Sequence, residues 1–307
     1  MFVQLRYFLK LARLQFLLGS GIFYVIGVLM ALHQTGLLDI MALLLGLATM
    51  WLLQLSTHFL NEYYDQVGDY SNRHRTFFSG GSGVLAEGRL APQVARLAAF
   101  IAFSLAVLLL ATATLTFSTF GLTTLVIFSI AAIGALGYSA PPLSLVERGL
   151  GELYVTLIIG LLVPLFGYSA QTGKTNLMFA LACLPCASLI LASVISVAFP
   201  DFKSDRKTLK QTLVVILGPE KAAKLYVGLL TAGYIMSWFI TPLGIPITVV
   251  LAQAATMPIA ALSLFELKRG GYKIPQRYSR NTLLGVGVVA TAGFGQIAGF
   301  LLAIANK

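Results

Sequence analysis

The sequence predicts an all-α integral membrane protein in which nine transmembrane helices form one bundle. Of its 307 residues, 58% are hydrophobic and only 10% are charged. Its mean hydropathy of +0.87 is far above that of soluble globular domains. Uncharged stretches of about 20 residues, enough to cross roughly 30 Å of hydrocarbon, recur along the chain. The Lys and Arg residues lie between these stretches in a strongly asymmetric pattern.

Nine such stretches can be counted. They cover residues 14–34, 40–60, 97–116, 120–138, 153–170, 177–198, 225–241, 244–263 and 282–304. The first follows a basic leader of 13 residues and precedes eight others, so we expect a retained helix rather than a cleaved signal. No linker or low-complexity tract divides the chain, which predicts a single domain over residues 1–307.

The distribution of basic residues predicts the orientation in the membrane. If the nine spans alternate, 19 of the 21 Lys and Arg residues lie on the side of the amino terminus, and only Lys174 and Lys307 lie on the other. The positive-inside rule then places the amino terminus in the cytoplasm and the carboxyl terminus outside, in the cell (inner) membrane. Topology and anionic headgroups also account for the net charge of +10, which argues against a nucleic-acid partner.

Two long cytoplasmic connections, residues 61–96 and 199–224, are expected to carry the chemistry because the outer connections are very short. They hold seven of the eleven acids: Glu62, Asp65, Asp69, Glu87, Asp201, Asp205 and Glu220. Asn61 and Asp65 recur as Asp201 and Asp205 after 140 residues, and four spans separate the two pairs. This spacing suggests a duplicated four-helix unit.

The acids follow a helical spacing that calls for a cation. Asn61, Asp65 and Asp69 are four residues apart, so they line one face if the second helix continues beyond the hydrocarbon. Asp201 and Asp205 repeat the pattern after the sixth span. Negative charge is unfavourable at a helix carboxyl end, and hard divalent ions such as Mg²⁺, with Mn²⁺ as a substitute, prefer oxygen ligands. Solvated loop acids balanced by nearby Arg and Lys are the alternative.

Basic residues suited to a polyanion lie near these acids. Arg73, Arg75 and Lys203 are about one turn away, and Arg13 enters the first helix from the same side. Guanidinium groups bind phosphate bidentately and lysine acts as a point charge, so we expect these four to bind a diphosphate. The alternative for each is a residue that only sets topology. The segment "SGGSG" either covers a phosphate through its backbone amides or is an ordinary flexible turn.

The pair Cys183 and Cys186 forms a C-x-x-C within the sixth span. We expect two buried thiols in helix packing rather than a redox or metal pair, because no further Cys or His lies near in sequence. Likewise, His58 is expected to be a packed, hydrogen-bonded helix residue.

Together these features resemble the UbiA-type intramembrane prenyltransferase superfamily. The resemblance rests on nine spans and on the segments "NEYYDQVGD", "YSAPPLSLVERGLGEL" and "DFKSD" after the second, fourth and sixth spans. The middle segment is most similar to the dihydroxynaphthoate prenyltransferases of menaquinone synthesis. The resemblance implies transfer of a prenyl group from an isoprenoid diphosphate to a lipophilic aromatic acceptor. It also implies two Mg²⁺ ions, held by Asn61, Asp65, Asp69, Asp201 and Asp205.

Three positions depart from the family pattern. Glu62 stands where an Asp is usual, and Arg13 is followed by Leu rather than Pro. Pro142 occupies the position of a lysine that some members carry, and whether Arg148 replaces that lysine is open at this stage.

The expected mechanism gives the four aspartates Asp65, Asp69, Asp201 and Asp205 catalytic roles in the departure of diphosphate. Tyr138 would offer a π face to the allylic carbocation, and apolar walls would keep water away from it. Prenyltransferases for a glycerophosphate lipid, chlorophyllide or haem are the alternatives within the class. A secondary transporter would place its acids near mid-helix, where these spans have almost none. A non-catalytic membrane scaffold is the remaining alternative.

The charge distribution makes a testable prediction about topology. In sealed vesicles, tags at residue 1 and within residues 61–96 should react only with reagents on the cytoplasmic face of the membrane. A tag at residue 307 should react only with reagents on the opposite face. Two termini on the same side would contradict an odd number of crossings.

Overall fold

The computed structural model describes residues 2–208 and 210–307, and the regular structure in those ranges is helical throughout. The α-helices, in chain order, are α1 (Phe2–Ala12), α2 (Leu17–Thr35), α3 (Ile40–Ser71), α4 (Pro92–Thr116), α5 (Leu122–Gly137), α6 (Gly151–Leu157), α7 (Val163–Thr172), α8 (Leu177–Ala182), α9 (Leu184–Ala198), α10 (Phe202–Asp205), α11 (Leu213–Leu217), α12 (Pro219–Ser237), α13 (Ile247–Ala254), α14 (Met257–Glu266) and α15 (Tyr278–Ala305). A π-helical turn, Ile158–Leu162, joins α6 to α7.

Seven helical segments in the described ranges are long and apolar enough to cross a membrane. They are Val3–Thr35, Ile40–Ser71, Pro92–Thr116, Gly151–Thr172, Leu177–Ala198, Ile247–Gly271 and Pro275–Ala305. Two further helices match predicted spans: α5 has 16 residues, and α12 carries three charged residues in its first two turns. The chain is a multi-pass helical membrane protein, whereas nine crossings and the orientation of the termini stay predictions.

The second helix extends well beyond the predicted span of residues 40–60. Helix α3 begins at the N-cap Asp39, whose side chain accepts a hydrogen bond from the amide of Ala42 (2.9 Å), and continues to Ser71. No proline interrupts the segment after Leu60, so the helix can extend beyond the apolar run. Residues 61–71 are therefore helical, and Asp65 and Asp69 lie on one buried face, as their spacing predicts. The expected loop 199–224 likewise contains α10, α11 and the start of α12.

The helices pack around two apolar cores. One core joins α2, α5 and α7, and the other joins α9, α12 and α15. A third, smaller cluster packs α1 against α3 and α4, with Phe8 and Phe59 ring centroids 5.5 Å apart. A cavity lies between these groups of helices, bounded by residues of α2, α3, α9 and α15.

Glycine allows α2 and α7 to approach closely. A Cβ atom on Gly27 would collide with the backbone carbonyl of Pro164, and one on Gly167 would collide with the carbonyl of Tyr24. Small residues of this kind let transmembrane helices pack backbone to backbone. The contact therefore tolerates no side chain at either position.

This close approach predicts the effect of adding one methyl group. Gly27→Ala should lower the melting temperature of the purified protein, because overpacking costs about 1–3 kcal/mol. Gly228→Ala is the matched control, since Gly228 lies within α12 with open space around its Cβ position, and alanine favours helix. Equal melting temperatures for the two variants would contradict the packing of α2 on α7.

Candidate active site

Four aspartates from the two sequence motifs meet at one end of the bundle. Asp65 and Asp69 come from the last turns of α3, whereas Asp201 and Asp205 come from the turn after α9 and from α10. Asp65, Asp69 and Asp205 are buried, and Asp201 is half-buried. We call these four residues the acidic cluster. The helical spacing in each motif points both pairs of carboxylates into the same region.

The ammonium group of Lys210 lies among these carboxylates. Its Nζ is 2.7 Å from Oδ2 of Asp65. Burial alone would lower the pKa of Lys210, but Asp65, Asp205 and Asp69 raise it above the ordinary value. Lys210 is therefore charged and acts as a counter-ion to the whole cluster.

One ammonium group does not neutralise the acidic cluster. Burial raises the pKa of Asp205 to about 8; Lys210 opposes this shift, while Asp201 and Asp65 add to it. Burial also raises the pKa of Asp201, against the effects of Lys210 and of two hydrogen bonds. Burial is the main cause of both shifts, and repulsion from neighbouring carboxylates adds to the shift of Asp205.

The loop of residues 72–91 closes over the acidic cluster. Asn72 donates a hydrogen bond from Nδ2 to Oδ1 of Asp201 (2.7 Å), and the amide of Gly80 donates to Oδ2 of the same residue (3.0 Å). Arg75 donates from Nη2 to the backbone carbonyl of Asp69. The loop thus contacts both acidic motifs, and both carboxylate oxygens of Asp201 accept hydrogen bonds from it.

Glu62 anchors this loop from the side of α3. The Ser82 amide donates to Oε1 of Glu62 at 2.6 Å, and the Ser82 hydroxyl donates to Oε2 at 2.5 Å. Arg13 lies 3.8 Å from the same carboxylate. The longer side chain at this departure from the family pattern therefore reaches the 72–91 loop. Sequence reasoning missed this role.

Two of the four residues expected to bind diphosphate lie at the site. Arg13 adopts a left-handed backbone conformation (φ 50°) at the break between α1 and α2, a strained geometry typical of functional positions. Its Nη1 is 3.5 Å from Oδ1 of Asn61, and its guanidinium is 4.7 Å from the centroid of Phe16. Arg75 reaches Asp69, and its Nη1 also pairs with Glu87 at 3.2 Å.

The other two expected residues do not contact the acidic cluster. Arg73 and Lys203 are exposed, and neither forms an ion pair within the described residues. Arg148 is also exposed and donates from Nη2 to the carbonyl of Pro142 (2.8 Å). Its guanidinium is thus bound to the residue that replaces the lysine of some family members.

A cavity of about 640 Å³ adjoins the acidic cluster. Its walls are mostly aliphatic and aromatic, and its polar residues include Arg13, His58 and Asn61. Asn61 donates a hydrogen bond to Asp65, so this residue joins the cavity to the cluster. Tyr138 also lines the cavity, where its ring centroid is 6.4 Å from that of Tyr154.

His58 and the two cysteines have structural partners, as the sequence predicts. The Nδ1 of His58 donates to the carbonyl of Ala12 (3.0 Å). Cys183 and Cys186 are free, buried thiols, and Gln296 donates from Nε2 to Sγ of Cys186 (3.0 Å). Packing therefore explains these thiols.

Sequence reasoning also missed Lys210 and the residues that hold its segment. Glu152 accepts a hydrogen bond at Oε1 from the amide of Leu213 (2.6 Å), and the amide of Gln211 donates to the carbonyl of Val146 (3.0 Å). Six basic residues lie within 199–224, and no spacing distinguishes Lys210 from the others. The available signal was the need for a counter-ion among buried acids.

The donor set of the acidic cluster fits a hard divalent cation. Its side chains offer oxygen ligands, the type that Mg²⁺ takes from one or two carboxylates per ion. Among residues 2–208 and 210–307, no three Asp, Glu, His or Cys side chains already converge on one ion-sized point. The Lys210 ammonium is the positive charge that pairs with Asp65 at this position.

An apolar cavity that ends in an acidic cluster, within a multi-pass helical bundle, is typical of an intramembrane transferase of lipophilic substrates. The model of the UbiA prenyltransferase family matches residues 20–283. The chain therefore belongs to this family.

Relatives with known names or structures cover nearly the whole chain. The 1,4-dihydroxy-2-naphthoate octaprenyltransferase of Bacillus subtilis (strain 168) is 24% identical over 301 residues, which are 96% of this chain and 90% of the relative. The apo structure of a UbiA homolog from Aeropyrum pernix K1 has a TM-score of 0.68 at 16% identity, over 93% of this chain and 98% of that one. A UbiA homolog from Archaeoglobus fulgidus bound to GPP and Mg²⁺ has a TM-score of 0.64 at 19% identity, over 96% and 99%. These likenesses show a shared fold.

The contacts of Glu62 predict how the 72–91 loop is held. Glu62→Ala should speed hydrogen exchange at the Ser82 amide by about tenfold or more, because a hydrogen bond to a charged group contributes about 1.5–3 kcal/mol. Glu87→Ala, in the same loop, is the control. Glu87 is 45% exposed and makes only surface ion pairs, so its loss should change little. Equal exchange rates in both variants would show that Glu62 does not anchor the loop.

Proposed function

We propose that this protein transfers a prenyl group from an isoprenoid diphosphate to a lipophilic aromatic acceptor, such as the quinone precursor dihydroxynaphthoate. One observation carries the proposal: the acidic cluster and the apolar cavity adjoin at Asn61. A polar end suited to metal and diphosphate therefore meets walls suited to a prenyl chain. The names of the Bacillus subtilis relative and of the Archaeoglobus fulgidus structure support the substrate classes.

The proposed metal ligands are Asn61 and the acidic cluster, with two Mg²⁺ ions as the resident cations and Mn²⁺ as a substitute. When bound, Mg²⁺ would take up negative charge that develops on the leaving diphosphate. Arg13 and Arg75 lie close enough to orient that diphosphate. Arg73 and Lys203, which are exposed, are proposed to contact it at the rim.

The cavity side of the site protects the reacting carbon. As the C–O bond of the substrate breaks, positive charge develops on the allylic carbon, and the apolar walls keep water from attacking it. Tyr138 is proposed to face this carbon with its π system. The electron-rich ring of the acceptor then attacks the carbon, and its ring proton passes to the released diphosphate, which restores aromaticity.

The proposal includes the setting of the site. One domain spans the chain in the cell (inner) membrane, and the acidic cluster opens towards the cytoplasm. The placement of 19 of 21 basic residues on one side of nine alternating spans supports this orientation.

Substitution of one aspartate from each motif tests the function. Asp65→Asn and Asp201→Asn should each reduce prenyl transfer at saturating Mg²⁺ about 100-fold or more, or by roughly 2.7 kcal/mol of transition-state stabilisation. Asparagine removes the charge but keeps one acceptor oxygen, so one of the two hydrogen bonds that Asn72 and Gly80 donate to residue 201 can persist. The measurement is transfer of labelled prenyl groups per mole of folded protein.

The control for this assay is Lys221→Ala, which removes an exposed basic residue far along the same connection and should leave the rate nearly unchanged. The acceptors offered are dihydroxynaphthoate, other aromatic quinone precursors, a glycerophosphate lipid, chlorophyllide and haem. Wild-type rates in both aspartate variants would remove the proposed mechanism. Transfer to a non-aromatic acceptor alone would overturn the proposed acceptor class.

A further inference from the structure

Lys210 is held in the acidic cluster by its side chain while its backbone neighbours are fixed elsewhere. Its Nζ pairs with Asp65 at 2.7 Å, and 19% of the side chain is exposed, so a path to solvent exists. On one side, the Thr208 hydroxyl donates to the carbonyl of Asp205 (3.0 Å). On the other, the amide of Gln211 donates to the carbonyl of Val146 (3.0 Å). The flexible lysine stem can therefore move without the backbone.

The pair between Lys210 and Asp65 competes with a metal ion. Oδ2 of Asp65 already accepts from Lys210 and from the side-chain amide of Asn61. Mg²⁺ would bind such an oxygen at about 2.0–2.1 Å. An ammonium group kept at its present distance would then stand about 3–5 Å from a divalent cation, where like charges repel strongly. Binding of Mg²⁺ to this oxygen therefore favours the departure of Lys210.

We propose that Lys210 is a tethered cation that occupies part of the divalent-ion site when no ion is bound and is displaced from Asp65 when the ion binds. This inference rests on the proposed function, because it takes Asp65 as a metal ligand. Without an ion, Lys210 limits the repulsion among the carboxylates of the acidic cluster. Its displacement raises the Mg²⁺ concentration that the protein needs, so ions bind most readily together with a diphosphate that adds ligands of its own. Lys210 thus competes with the metal ion for Asp65.

Thermal stability without substrate tests the displacement. The melting temperature of purified, full-length protein is measured against Mg²⁺ at constant ionic strength. Lys210→Met should melt at a lower temperature than wild type without Mg²⁺, because the carboxylates lose their counter-ion. Added Mg²⁺ should close this deficit, with a half-saturating concentration about tenfold or more below that of wild type. A merely structural role for Lys210 would leave a deficit that Mg²⁺ does not close.

Two variants serve as controls for this titration. Lys207→Met removes an exposed lysine three residues away and should behave as wild type. Lys210→Arg keeps the positive charge and should need at least as much Mg²⁺ as wild type. If Lys210→Met needs the same Mg²⁺ concentration as wild type or more, the inference is wrong.

A second measurement uses only the wild-type protein, so it does not depend on the folding of a variant. A lysine-acylating reagent is applied with and without Mg²⁺, and modification of Lys210 and Lys207 is compared by peptide mass spectrometry. Displacement should raise the ratio of Lys210 to Lys207 modification about fivefold or more, because a paired, mostly buried amine becomes accessible. An unchanged ratio would overturn the inference.

A further arm separates this inference from the proposed function. Wild type and Asp65→Asn are melted with Mg²⁺ plus inorganic diphosphate. A higher melting temperature for wild type but not for Asp65→Asn supports the metal site. If Lys210→Met then needs the same Mg²⁺ concentration as wild type, only the role of Lys210 is rejected. If Mg²⁺ and diphosphate raise the melting temperatures of wild type and Asp65→Asn equally, the metal site itself is contradicted. The role of Lys210 is then contradicted as well.

Discussion

Repulsion among the carboxylates of the acidic cluster is the constraint on which the rest of this site depends. Four aspartates are brought together at the end of an apolar bundle, where water screens their charges poorly. Lys210 offsets part of this charge, while burial, and after it repulsion from Asp201 and Asp65, raises the pKa of Asp205. Each neighbouring element, from the end of α3 to the 72–91 loop, supplies a donor or a fixed position that lets the acids coexist.

The 72–91 loop shows how these acids also organise the backbone. Asp201 accepts hydrogen bonds from Asn72 and Gly80, and Glu62 accepts two from Ser82. The same negative charge that calls for a metal therefore fixes the loop that covers it. This dual use explains why Glu rather than Asp can stand at position 62: its carboxylate serves the loop, and the extra methylene lets it reach there.

Local pattern was enough to predict the helical faces but not the contacts between distant segments. The four-residue spacing of Asp65 and Asp69 places both on one face of any helix, and the helix does continue that far. In contrast, the pair of Lys210 with Asp65 joins residues that are far apart in sequence. Only the packing of α10 beside α3 distinguishes Lys210 from the other five basic residues of 199–224. Exposed Lys203 was an equally good candidate by sequence distance alone.

The cavity and the counter-ion are physically linked. The apolar walls that would exclude water from the reacting carbon in the proposed reaction also remove solvent that would otherwise stabilise Asp65, which adjoins the cavity through Asn61. Exclusion of water from the cavity thus raises the desolvation free energy of any unpaired carboxylate at its end. In the proposed reaction, a tethered lysine would neutralise Asp65 between turnovers without diffusing away, whereas a free ion would be lost with the product diphosphate. The same apolar surroundings that favour the chemistry therefore favour a resident cation in its absence.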